Sequence, residues 1–357
     1  MVLKYIEEGT RWDGFSESNI IASNANQKVV SLHCWCRDIL ITSQTRAFFG
    51  DYFLELEPRM TQLFDDWDIN AWMITYQFPK FMAKLATKPR DKLIKALAQY
   101  LDAPRERRAG GVPFVNELED EERNAGLCSE DCARILMIIL WGNVQMTTFW
   151  TMAHILARPA LLARIRHEIA PVMEKLEPLE NASRDAMVNL IKSDLVEACP
   201  LLDSAVNEVL RVSSTGSSIR KVVKPVNIGG KDLPVGVKVL LPQRPLLLST
   251  QGFGPDAQEV DLLRFLKNKA LSRHEYYRPF GGGITMCSGK VLGKRETMAF
   301  VVLAIWKYDI EVLLPGQKVM GVEGRDFPRL DERKPSIGIA KQVEGDDMIV
   351  KVSPRKR

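Results

Sequence analysis

The sequence predicts a mainly α protein with a minor β region, and three observations carry this. Apolar residues recur at helical spacing across residues 28–49, 129–157 and 201–212. Strand-like runs separated by glycine turns are confined to residues 218–248 and to a proline-broken stretch at 310–353. With 46% hydrophobic and 26% charged residues, a chain of 357 residues has ample core for one domain over residues 1–357.

The elements follow in order. Residues 1–60 read as helical in pieces. The clearest piece, 28–49, carries Val30, Leu32, Trp35, Ile39 and Leu40, and Gly50 stops it. His33 reads as a packed histidine of that core helix. Residues 58–81 hold Leu63, Phe64, Trp67, Ile69, Trp72, Met73, Ile74 and Tyr76. Such a stretch is ordinary core or the roof of an apolar ligand cavity. Residues 84–101 form a basic amphipathic helix, and 104–112 a charged, solvated loop.

Ser129 and Glu130 suit the start of one long helix running to residue 157, with Pro159 at its end. A second basic amphipathic helix covers 160–170, where Pro171 ends or kinks it. Pro200 stands in the first turn of the helix at 201–212. In that helix Glu208 and Arg211 lie at i and i+3 and face one another. The strand region has a hairpin-type turn at Gly229-Gly230. Gly254-Pro255-Asp256 opens an irregular meander leading to Arg264 and Phe265.

The net charge of +4 is too small to suggest a nucleic-acid partner, and Pro354-Arg355-Lys356-Arg357 reads as a solvated tail. None of the six cysteines belongs to a zinc-type array, and reduced thiols in a cytosol-facing protein are expected. No apolar run is read as a transmembrane segment, and the N-terminus is too polar for a signal peptide. The expected location is cytoplasmic, or peripheral on the cytosolic face of a membrane. The glycosylation triplet Asn181-Ala-Ser183 has no secretory context.

The chemistry concentrates in Tyr277-Arg-Pro-Phe-Gly-Gly-Gly-Ile-Thr-Met-Cys287-Ser-Gly289. Phe280, Gly283, Cys287 and Gly289 give the pattern F-x-x-G-x-x-x-C-x-G, followed by a helix-forming run to Phe300. Glycines 281 to 283 let the backbone turn tightly and approach a flat ligand. A cysteine at the mouth of a helix is favoured as thiolate. A phosphate-cradling loop is excluded by Ile284 and Val291, where that pattern needs Gly and Ser or Thr.

This stretch resembles the cysteine-ligand loop of the cytochrome P-450 family of haem-thiolate enzymes. The order of long helix, Glu-x-x-Arg, Arg-Phe meander, cysteine loop and final helix resembles the family from about residue 129 onward, with fainter similarity back to about 28. The flavour is that of the sterol-hydroxylase and prostacyclin-synthase branch. The resemblance implies a truncated cytochrome P-450-like fold binding haem b, with Cys287 as the iron's axial ligand. It implies that Phe280 shields the sulfur, that Gly283 and Gly289 shape the loop, and that Arg220 meets a haem propionate. Glu208, Arg211 and Arg264 would be a buried ion cluster locking the haem-side loop. Thr147 or Thr148 would supply a distal hydroxyl.

Departures accompany the resemblance. The family is longer, and what is missing would lie before residue 1, including a membrane anchor and a propionate-holding helix. Thr285 stands where many members place a basic residue, and Ser288 replaces a common proline. Met146 and Val144 stand where the long helix usually has an acid and a glycine. The expected function is a monooxygenase of secondary metabolism acting on an apolar, terpenoid- or steroid-like molecule, with electrons from a separate reductase. A haem isomerase is a close variant. The alternative is a redox-independent cyclase or isomerase that reuses the scaffold without haem. An incomplete gene model or a non-catalytic remnant is the third reading.

Overall fold

The computed structural model describes residues 1–142, 144–175, 195–334, 336 and 338–356. The triplet at 181–183 and Pro335 lie outside the described residues. The chain is mainly helical, with small sheets at its edges.

The first half runs α1 (Val2–Gly9), β1 (Ile20–Ser23), β2 (Lys28–Ser31), α2 (Leu32–Phe49), α3 (Tyr52–Leu56), α4 (Met60–Asn70), α5 (Trp72–Thr75), α6 (Lys84–Asp102), α7 (Pro113–Asn124), α8 (Ser129–Trp141) and α9 (Gln145–Leu156). Then come α10 (Pro159–Glu174), α11 (Pro200–Ser213), β3 (Ser217–Lys221), β4 (Val226–Ile228), β5 (Lys231–Leu233) and β6 (Lys238–Pro242). The remainder holds α12 (Arg244–Leu247), α13 (Thr250–Phe253), α14 (Arg264–Lys267), α15 (Lys290–Lys307), β7 (Tyr308–Val312), β8 (Lys318–Val319), β9 (Val322–Glu323) and β10 (Ile349–Pro354).

Several expectations are corrected here. Residues 28–31 form a strand rather than the start of a helix, because Val29 and Val30 pair with β10. Ser31 then caps α2, its hydroxyl accepting from the Cys34 amide at 3.0 Å. The four-stranded sheet has the order β1-β2-β10-β7, all neighbours antiparallel, so the chain's two ends close one sheet. Pro171 does not end α10, which runs to Glu174. The long helix expected over 129–157 is two helices among the described residues, Ser129–Trp141 and Gln145–Leu156, with Gly142 and Val144 in neither. The stretch Ser129–Leu156 is also long and apolar enough to cross a membrane by length and composition, contrary to expectation; most of it is buried inside the protein, as in the core helix of a globular fold.

Two apolar clusters explain the parting. Leu136, Met137 and Leu140 of α8 pack with α4 and α6, whereas Phe149, Trp150 and Met152 of α9 pack with α2, α11 and α15. The break lies where the chain leaves one cluster for the other. Of the aromatic stretch at 58–81, Leu63, Phe64 and Trp67 are core. Ile74, which packs against the same cluster, and Phe78 line a pocket of about 780 Å³ between α6 and the start of α8, with Lys95, Glu130 and Arg134 on its walls.

Candidate haem-thiolate site

The cysteine loop rests on α11. The Glu208 carboxylate accepts from Arg211 Nε at 2.8 Å and Nη2 at 2.7 Å, and from Arg264 Nε at 3.3 Å. All three residues are buried. Burial of these charges is tolerable because their remaining donors and acceptors are used. Arg211 Nη1 donates to the carbonyls of Leu247 and Ala257, and Arg264 Nη1 to the carbonyl of Phe253 at 2.9 Å. The Asp261 amide completes the carboxylate's shell at 2.9 Å. One helix thereby fixes the path of the meander from Leu247 to Arg264.

Two further ties reach the loop itself. Tyr277 donates its hydroxyl to Asn207 Oδ1 at 3.0 Å, just before the loop begins. Lys294 Nζ lies 2.6 Å from Asp203 Oδ1, which joins α15 to α11 after the loop. Between these anchors the Cys287 amide donates to the Phe280 carbonyl at 3.0 Å. Phe280 itself is half-buried against the main core.

The crown of the loop is bare. Gly283 has φ +70° with nothing within 4 Å of where a Cβ would stand, and a Cβ on Gly289 would lie 3.7 Å from the Cys287 sulfur. The Cys287 thiol is exposed. Around it Ile284, Met286, Val291 and Leu292 are exposed apolar side chains, Ile284 completely so. A surface of this kind is unfavourable in water until something apolar covers it.

Arg220 projects from β3 and donates to the hydroxyl of Thr285, two residues before Cys287, and to the carbonyl of Ile219 at 2.9 Å. A cation from another strand thus stands beside the position where a base on the loop is lacking. The residues therefore fit a haem on the cysteine side: a soft donor open to a flat ligand, glycines where a Cβ would intrude, an apolar rim and an exposed guanidinium.

The long helix and the cysteine's helix meet at a threonine pair. Thr147 and Thr148 are both buried, and the Thr148 hydroxyl donates to Thr297 of α15 at 3.1 Å. That bond turns Thr148 towards α15 at a point ten residues beyond Cys287. The break itself also approaches α15, since a Cβ on Gly293 would meet Val144 Cγ1 at 2.7 Å.

One residue escapes a reading of the sequence. Glu296 is completely buried on α15, nine positions beyond Cys287, and burial pushes its carboxyl up to about 7 against the hydrogen bond from Gln44. Gln44 Nε2 donates to Glu296 Oε2 at 2.7 Å and to the Gly142 carbonyl at 3.4 Å. The signal is present in the sequence: an acid in a helix that is otherwise apolar from Met298 to Trp306.

Comparison with known proteins agrees with this geometry. The cytochrome P-450 family model matches residues 35–329. The chain belongs to the cytochrome P-450 family. A cytochrome P-450 monooxygenase of Hypoxylon pulicicidum, nodJ, is 24% identical over 81% of this chain and 58% of its own length. Cytochrome P-450 7A1 of Sus scrofa is 25% identical over 73% of this chain and 52% of its own. Prostacyclin synthase of Bos taurus is 26% identical over 64% and 48%. The chain thus spans about half the length of these curated relatives. The structure of retinoic acid-bound cyanobacterial CYP120A1 matches 99% of this chain and 73% of its own, with a TM-score of 0.69 at 19% identity. That likeness establishes the cytochrome P-450 fold.

Proposed function

We propose that this cytochrome P-450 chain is a haem-thiolate monooxygenase for an apolar, terpenoid- or steroid-like small molecule. The observation that carries the reading is the exposed Cys287 thiol at a bare, apolar-rimmed loop whose ends are both tied to α11. Cys287 would hold haem b, Arg220 would meet a propionate, and Gly283 and Gly289 would leave room for the ring. Bound haem would supply one-electron and dioxygen chemistry, with electrons from a separate reductase. The protein's part would be to fix the sulfur, shield it through Phe280, and present an apolar face to substrate. A relative named as a cytochrome P-450 monooxygenase supports the reaction type, and one named as 24-hydroxycholesterol 7-alpha-hydroxylase supports the steroid-like substrate.

A second reading is favoured by one observation. Thr148 spends its hydroxyl on Thr297, and Met146 stands where a family acid is expected, so that acid is missing and Thr148 is engaged elsewhere. A redox-independent cyclase or isomerase, acting by orientation within an apolar site, needs neither. The two are separated by turnover of a terpenoid and steroid panel with haem, reductase and dioxygen. A product heavier by one oxygen that disappears in Cys287→Ala supports the monooxygenase. An isomeric product formed equally well by Cys287→Ala supports the cyclase.

A further inference from the structure

The pocket between α6 and the start of α8 has walls of two kinds. One kind is apolar. Ile94 belongs to the second apolar cluster and Ile74 and Ala98 pack against it, while Phe78 stands edge-on to Trp72 with ring centroids 5.1 Å apart. The pocket stays open because α8 brings Glu130 and Arg134 to this end, bonded to one another. Further along, the same helix gives Leu136, Met137 and Leu140 to the packing against α6. A volume of about 780 Å³ suits one small molecule.

The other walls are charged, and the charges do not balance. Arg90 Nη2 holds the Asp91 carboxylate at 2.7 Å, and Arg134 holds Glu130. Lys80 and Lys95 are left over, both exposed and without an ion pair among the described residues. Lys84, Lys88 and Lys92 of α6 are exposed too and carry no ion pair among the described residues. A concave site with an excess of one charge gathers ions of the opposite sign. We propose that this pocket binds a single anionic amphiphile. Its apolar body would lie against Ile74, Phe78 and Ala98, and its carboxylate or similar anion would meet Lys80 and Lys95.

Two features define this site. It lies against the first turns of α8, whereas α9 is the helix that meets α15 at Thr148 and Thr297. Binding here therefore needs neither haem nor the Cys287 loop. The site is also recessed: Ile94 is buried and Ala98 half-buried behind the lysines. A bilayer surface reaches exposed side chains such as Phe81, Met82 and Leu85, but a separate molecule is needed to fill a recess.

The test is calorimetric titration of the full chain with decanoate and with decanol, its uncharged counterpart, both kept monomeric. Decanoate should bind several-fold more tightly, and added salt should narrow the difference. The double variant Lys80→Ala, Lys95→Ala should bind the two alike; both lysines are exposed, so its melt should match that of the native chain. Thr87→Phe, which fills the pocket, should abolish binding, and Ile284→Ser beside Cys287 should leave it unchanged. No binding of decanoate, equal binding of decanol, or a preference that survives the double variant overturns the proposal. So does binding that is lost in Ile284→Ser and kept in Thr87→Phe. Partition onto phosphatidylserine vesicles without uptake of monomeric decanoate would assign the lysines to a membrane surface, and overturns it equally.

Discussion

Val144 and Gly293 meet at the point where the two halves of the long helix part, and a Cβ on Gly293 would stand 2.7 Å from Val144 Cγ1. Only a glycine lets α15 approach a β-branched side chain so closely. Gly293→Ala gains helix propensity but overpacks this contact, and should lower stability by about 1–2 kcal/mol net. Chemical denaturation measures it. In a double-mutant cycle with Val144→Ala most of that loss should return, because the smaller side chain removes the clash.

The ion cluster on α11 predicts an asymmetric response. Removing one partner strands a buried charge, so Glu208→Ala or Arg211→Ala should cost about 3–5 kcal/mol and leave much of the chain unfolded at ambient temperature. The far-ultraviolet circular dichroism melt is the readout. Asp256→Ala should cost little, because its pairing with Arg264 is at the surface.

Arg220 has a different signature. Its guanidinium is exposed and touches Thr285 rather than any core group, so Arg220→Ala should leave the melt of the haem-free chain unchanged. Haem titration should weaken about tenfold, as expected for losing one charged hydrogen bond to a propionate. A matching loss in Arg278→Ala would show that the effect is general surface charge rather than a defined contact.

Glu296 also gives stability a pH dependence of known sign. Its carboxyl rises from an ordinary 4.5 to about 7 in the fold, so the native state binds the proton more tightly than the unfolded chain. The stability it contributes as the acid is fully present below about 4.5 and is lost as pH rises to about 7, on the order of 3 kcal/mol in all. Glu296→Gln should flatten that part of the profile and be the more stable protein above about pH 7.

Much of this is legible in the residues, and for a consistent reason. The cysteine loop and the meander depend on Gly, Pro and a few charges at fixed spacing, which a sequence displays directly. Glu208 and Arg211 can be seen to face one another, but their burial depends on carbonyls of Leu247, Ala257 and Glu259 brought from a distant segment. The parting of the long helix is hidden because Gly142 is tolerated within a helix; what divides it is the passage between two apolar clusters. Strand β2 looks helical because Val29 and Val30 suit either state, and pairing with β10, at the other end of the chain, decides it. Glu296 reads as one more good helix former beside Lys294 and Arg295, and only the apolar run that follows from Met298 signals that its face of α15 is covered.

Ligation of haem by the Cys287 thiolate is tested most directly by one spectrum. The purified chain, expressed with haem supplied, is reduced under carbon monoxide and its absorbance recorded beside that of Cys287→Ser. A red-shifted Soret band characteristic of thiolate ligation is expected in the native chain, and its loss in the variant. A folded native chain that takes up no haem, or that shows the same band in Cys287→Ser, would contradict it.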